Sequence, residues 1–152
     1  MHLYLHIPFC HQACHYCDFH FSTNVALKSD LVHAICQEIA LQKDYLGSKN
    51  LKTIYFGGGT PSLLPADELA KILDTIHQNF YVENEAEITL EANPEDLTPS
   101  YLKTIKSLGI NRLSIGIQDF DPQVQQAVNR FNSVEEVTAL IKQAKDSAYH
   151  SI

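Results

Sequence analysis

Apolar positions recur along this chain in two alternating rhythms. Short apolar runs read as strands over Leu3 to Phe9, Thr53 to Phe56, Glu87 to Glu91 and Arg112 to Ile117. Between them apolar residues return every three or four positions, the signature of amphipathic helices. Leu31, Val32, Ile35, Cys36 and Ile39 share one such face, which Ser29-Asp30 is expected to cap and Gly47 to end. A second helix starts near Pro65 and carries Leu69, Ile72, Leu73, Ile76 and Phe80. A third opens at Thr98-Pro99, carries Leu102, Ile105 and Leu108, and is closed by Gly109. A short helix begins at Asp121-Pro122. A longer one begins at Ser133, where Glu136 completes a capping box, and its face carries Val137, Leu140, Ile141 and Ala144. The order is βα repeated four times, with a fifth strand due where the chain reaches Ile152. This alternation predicts an α/β fold built on a parallel sheet with right-handed crossovers.

The chemically suggestive residues all fall at or just after the carboxyl end of a predicted strand. Cys10, Cys14 and Cys17 follow the first and Gly57-Gly58-Gly59-Thr60 the second. Glu91 and Asn93 end the third, and Gln118 follows the fourth. In barrels and open parallel sheets that edge is where ligands bind.

Three of the four cysteines lie within eight residues, spaced C-x3-C-x2-C. Three thiolates suit an iron–sulfur cubane in which one iron keeps an open position, since a closed cluster takes four. The rival reading is a zinc-binding interaction module, a Cys3His set completed by His11, His15 or His20. Cys36 lies on the apolar face of a predicted helix and reads as a small core residue.

Composition narrows the setting. Of 152 residues 45% are hydrophobic and 19% charged, a globular balance for one domain or part of a larger one. The net charge of -7 and the lack of a basic stripe argue against a nucleic-acid partner. No apolar run approaches membrane-spanning length, and no signal-peptide pattern opens the chain. A cytoplasmic protein is expected, in which clustered thiols stay reduced and bind metal.

The glycine turn admits two readings, a permissive strand-to-helix connection or a ligand cradle. It is neither G-x-G-x-x-G nor a Walker A loop. It is therefore expected to offer free amides and carbonyls to a small zwitterion rather than to a nucleotide phosphate. Glu91 ends an apolar strand, where an unpaired core charge would be costly; it reads as a ligand-facing acceptor. Gln118 reads as a neutral donor and acceptor at the same edge. Arg130, taken alone, reads as a solvated surface arginine.

Four motifs together carry a resemblance. They are Tyr4-x-His6-Ile7-Pro8-Phe9-Cys10-x3-Cys14-x-Tyr16-Cys17, Gly57-Gly58-Gly59-Thr60-Pro61-Ser62, Leu90-Glu91-Ala92-Asn93-Pro94 and Leu113-Ser114-Ile115-Gly116-Ile117-Gln118-Asp119-Phe120. Over the whole length the chain resembles the radical S-adenosylmethionine (SAM) enzymes, and within them the oxygen-independent coproporphyrinogen dehydrogenases and the HemW-type haem chaperones. The resemblance implies a partial TIM-type barrel. Residues 1–152 would be its first four units, the amino-terminal part of a core domain whose remaining units and carboxy-terminal domain lie outside this sequence.

The resemblance also implies that Cys10, Cys14 and Cys17 hold a [4Fe–4S] cluster. SAM would occupy the fourth iron and be cleaved to a 5′-deoxyadenosyl radical. Gly58, Gly59 and Thr60 would surround its methionine part. Glu91, Gln118 and Arg130 would hold its other polar groups, with Tyr4, Tyr16 and Phe19 beside the cluster and the adenosyl group. The implied partners are haem or a porphyrinogen, a reducing electron donor and a haem-acceptor protein, with haem itself bound in the longer protein. The similar dehydrogenases carry a further cysteine two residues after the third. Here that position is Phe19, as in the chaperone branch. Asn132, where many chaperones have histidine, and Gln118-Asp119-Phe120-Asp121 resemble the dehydrogenases instead.

Overall fold

The computed structural model describes all of residues 1–152. Its strands are β1 (His2–Ile7), β2 (Asn50–Gly58), β3 (Tyr81–Ala92) and β4 (Arg112–Ile115). Its helices are α1 (Lys28–Gln42), α2 (Ala66–Asn79), α3 (Pro99–Ser107), α4 (Pro122–Val128) and α5 (Val134–Asp146). The strands form one sheet in chain order, and every neighbouring pair is parallel. The predicted βα alternation is therefore the observed fold.

Element ends follow local chemistry. Thr98 caps α3 by accepting from Tyr101 N, with Pro99 in its first turn, and Gly109 follows at φ +96°. Asp121 caps α4 by accepting from Gln123 N and Val124 N. Ser133 and Glu136 form the predicted reciprocal box at α5. A Ser133→Ala variant should lose about 1 kcal/mol of stability, the usual cost of an N-cap, measured by urea denaturation.

Other boundaries move. Ser29-Asp30 does not cap α1: the helix already starts at Lys28, the residue before it makes no side-chain cap, and Asp30 lies within the first turn. Pro65 sits one place before α2, at its cap position. Both β2 and β3 extend toward their amino ends beyond the apolar stretches, because Asn50 pairs with Tyr81 and Leu51 with Val82. Backbone pairing needs no apolar side chain.

The register gives the sheet two unlike faces. Leu5, Phe56, Leu90 and Leu113 align across the four strands, and Leu3, Ile54 and Ile88 across the first three. These residues join Val32, Leu69, Ile72, Ile76, Leu102, Ile105 and Leu140 of the helices in one core. Cys36, half-buried, packs against the same core as expected. The alternate positions align Tyr4, Tyr55, Thr89 and Arg112 in one row, with Glu91 beside Ser114 in the next. One face is thus apolar and covered by helices, while the other is polar. Right-handed crossovers between successive neighbours place all helices on one side, the winding of a barrel.

At β4, Leu113 N donates to Ser151 O at 3.1 Å, and Arg112 and Ser151 form an isolated parallel bridge.

Candidate functional site

Residues 10–22 form a loop at the carboxyl end of β1. Its base is tied by Cys10 N donating to Ser22 O at 3.0 Å and Ser22 N donating to Pro8 O at 2.7 Å. Within it Cys17 N donates to Cys14 O at 3.1 Å, which closes a turn between the second and third cysteines. All three are free and partly exposed.

Burial pushes the Cys10 thiol up, the nearby Cys17 and Cys14 sulfurs push it further, and the Thr60 hydroxyl and Arg130 pull the other way. Three soft sulfurs on one loop are a donor set suited to an iron–sulfur centre, which binds them as thiolates. The group therefore fits the residues present. The side chains do not converge as a single-ion site requires; in a cubane each thiolate binds a different iron.

The glycine loop packs directly under this ligand loop. A Cβ on Gly59 would lie 2.7 Å from Phe9 O and 2.9 Å from both Cys10 Sγ and Pro8 C. Gly58 has φ +115°, where a side chain is strained. The expected free amides are not free. Gly59 N donates to Ile7 O at 2.8 Å, Thr60 N to Phe9 O at 2.7 Å and Gly58 N to Glu91 Oε2 at 3.1 Å. The missing side chains serve close packing of the protein on itself, because β1 and β2 continue to pair past their strand ends.

Glu91 is an acceptor at the sheet edge, and its partners come from the protein. Tyr55 OH donates to Oε1 at 2.7 Å while Gly58 N occupies Oε2. Tyr55 stacks on Tyr4 with ring centroids 5.9 Å apart, and Tyr4 remains 57% exposed. Burial, and then the Glu91 charge, raise the Tyr4 phenol. Burial, and then Cys14, raise that of Tyr16.

Arg130 is not a surface arginine: only 6% of it is exposed. Its Nη1 donates to Asn93 Oδ1 at 2.9 Å and its Nη2 to Gly116 O at 3.2 Å. Asn93 Nδ2 then donates to Thr60 Oγ1 at 3.5 Å, and Thr60 Oγ1 to Cys10 Sγ at 3.5 Å. A continuous polar chain thus joins Arg130 to a cysteine of the ligand loop. Asn93 is its centre. Its only sequence signal is its place just beyond the third strand.

Gln118 is exposed with φ +74°, a left-handed conformation that is costly for a residue with a side chain. Such strain concentrates at ligand sites. Phe19, at the far side of the loop, is 73% exposed.

A profile of the radical SAM superfamily matches residues 4–152. The chain belongs to the radical SAM superfamily. Among curated relatives, it is 38% identical to the oxygen-independent coproporphyrinogen III oxidase of Bradyrhizobium diazoefficiens, over 91% of this chain and 32% of that one. It is 34% identical to the heme chaperone HemW of Bacillus subtilis, over 98% and 40%. The solved structure of coproporphyrinogen III oxidase (HemN) from Escherichia coli superposes with a TM-score of 0.89 at 33% identity, covering 98% of this chain and 35% of that one. The chain thus spans about two fifths or less of the length of these relatives.

Membership of the superfamily implies a [4Fe–4S] cluster and SAM. It also accounts for the placement of the cysteine, glycine, Glu91 and Gln118 segments along one sheet edge. No helix is long and apolar enough to cross a membrane.

Proposed function

We propose that residues 1–152 are the cofactor-binding, amino-terminal part of a radical SAM haem chaperone, a protein that binds haem and passes it to an acceptor protein. The observation that carries the choice of chaperone is Phe19. The dehydrogenases that the chain resembles have a cysteine at this position, beside the cluster, where two chemistries must differ. Support for the wider setting comes from relatives named as heme chaperones and as coproporphyrinogen oxidases.

In this reading Cys10, Cys14 and Cys17 hold the cluster. Gly58, Gly59 and Thr60 lie along the methionine part of SAM; Glu91, Gln118 and Arg130 hold its polar groups; Tyr4, Tyr16 and Phe19 border the cluster and the adenosyl group. Bound together, the reduced cluster and SAM supply one-electron radical chemistry. This chain's residues supply preorganisation. Glu91 is oriented by Tyr55 and Gly58, and Arg130 by Asn93 and Gly116, before any ligand arrives. Pre-set polar groups lower the ordering cost of binding. An electron donor completes the partner set.

A second reading, an oxygen-independent coproporphyrinogen III oxidase, is favoured by Asn132 and the Gln118-Asp119-Phe120-Asp121 tract. The deciding experiment uses the full-length protein, anaerobically loaded with cluster and SAM. Stable haem binding without consumption of coproporphyrinogen III is the expected result. Decarboxylation of coproporphyrinogen III on the enzyme would replace the chaperone by the oxidase.

A further inference from the structure

We propose that Asp96 is a positioning residue whose carboxylate pins the cysteine loop to the carboxyl rim of the sheet and so sets how firmly that loop retains its cluster. The inference rests on the reading of Cys10, Cys14 and Cys17 as cluster ligands, and concerns three residues to which that reading gives no role.

Asp96 ends the short 3-10 turn Pro94–Asp96 that follows β3, and its side chain is only 10% exposed. Both carboxylate oxygens are engaged, each by a different loop. His11, adjacent to Cys10, donates from Nε2 to Oδ1 at 3.0 Å. Ser62, from the turn after the glycine loop, donates from Oγ to Oδ2 at 2.6 Å. The same Ser62 oxygen accepts from Asn93 N at 3.2 Å. Loops that follow β1, β2 and β3 therefore meet at one nearly buried carboxylate.

The chemistry excludes other roles for this trio. Ser62 and His11 bind opposite oxygens of Asp96 rather than each other, so the trio has no hydroxyl–imidazole pair and is no hydrolytic triad. No set of His, Cys, Asp or Glu side chains converges around Asp96 as a metal site requires. A carboxylate accepts only, so the His11 Nε2 carries the proton in this contact. His11 thereby commits its Nε2 to Asp96 and acts as a strut, and it forms no Cys3His set with the thiols.

The strut matters because the loop has few other anchors. Its base is tied at Cys10 and Ser22. Its tip touches only the end of α4, through His15 Nδ1 to Ala127 O at 2.9 Å and Gln12 Nε2 to Asn129 O. Those contacts bear on exposed carbonyls of a seven-residue helix. Together with the Thr60 hydroxyl on Cys10 Sγ, the Asp96 contact ties the loop sideways to the sheet, next to the first ligand. Partners bonded directly to a metal ligand typically change retention by roughly ten- to a hundredfold; Asp96 acts one residue away, through the backbone between His11 and Cys10, so the lower end applies.

The test is the rate at which anaerobically reconstituted protein loses its charge-transfer absorption to excess chelator. Asp96→Ala and His11→Ala should each speed the loss roughly tenfold. The double variant should be no faster than Asp96→Ala alone, because both remove the same contact. His11→Gln, which keeps a donor, should return most of the way to the parent rate. A purely structural role would instead shift the urea midpoint of the apo-protein and give additive rates.

If the parent protein takes up no cluster, the ligand assignment falls, not the strut. If the parent loads and Asp96→Ala releases at the parent rate, or if the two substitutions add, the proposal is overturned. Should Asp96→Ala fail to fold, His11→Ala decides: its side chain is half exposed and its removal leaves the core untouched. Release at the parent rate would then refute the strut.

Discussion

Alanine at any one of Cys10, Cys14 or Cys17 is expected to abolish iron–sulfur loading, and alanine at Cys36 to leave it intact. The parent protein should take up about four irons after anaerobic reconstitution, with the broad charge-transfer absorption of a cubane. Losing one thiolate leaves two anchors and exposes a second iron, which chelators and water can attack. The three cysteines share one short loop with no spare thiol near it. Cys36, by contrast, sits on α1 against the core and reaches only Lys71 O, at 3.8 Å. Total iron, acid-labile sulfide and visible absorption decide the matter. A Cys36→Ala protein that fails to load would overturn the ligand assignment, and stoichiometric zinc in place of iron would restore the zinc-module reading.

Gly59→Val is expected to damage both stability and loading. Even its first carbon would meet Phe9 O at 2.7 Å and Pro8 C at 2.9 Å. These are backbone atoms of the segment that positions Cys10, so no side-chain rotation relieves the clash. Overpacking of this kind costs about 1–3 kcal/mol, and the shift that accommodates it displaces Cys10 from the Thr60 hydroxyl. Urea denaturation should show the lost stability, and reconstitution should fall well below the parent level. Gly47→Ala is the matched control. Nothing lies within 4 Å of a Cβ there and its backbone is not left-handed, so the change should be neutral or stabilise by about 0.4–1 kcal/mol. Equal behaviour of the two variants would show that the glycine loop does not brace the cysteine loop.

These two outcomes separate what is local in this protein from what is not. The cysteine spacing is a local fact, legible in eight consecutive residues. So are the caps at Thr98, Asp121 and Ser133, since a capping hydrogen bond spans only two or three residues. The start of α1 departs from expectation for a related reason. Ser29 and Asp30 have capping chemistry, but Ser29 Oγ donates to Glu68, across to α2, at 2.9 Å. A partner 39 residues away in the chain takes the place of the local one.

The site is legible in the sequence as a set of positions and not as a set of contacts. Glu91 is expected at the edge as a ligand-facing acceptor, and in the structure Tyr55 and Gly58 donate to it. Free glycine amides are expected too, and they are spent on β1 and Glu91. Asn93, Ser62, His11 and Asp96 carry ordinary polar side chains; the first three are legible as motif members or candidate ligands, but nothing in their spacing shows that they join one another or Asp96. They become a network only when three loops meet.

The βα order, the helical faces, the trio of thiols and the edge at which they emerge are all written in the chain itself. Each follows from periodicity or spacing within a few residues, which the polypeptide carries whether folded or not. Three further features arise only in the folded protein: the sheet keeps one polar face, Arg130 is buried against Asn93, and Asp96 joins His11 to Ser62. Those depend on strand register and on the winding of every crossover to one side. Register brings together residues tens of positions apart, and the burial that gives a polar group its partner exists only after that packing is complete.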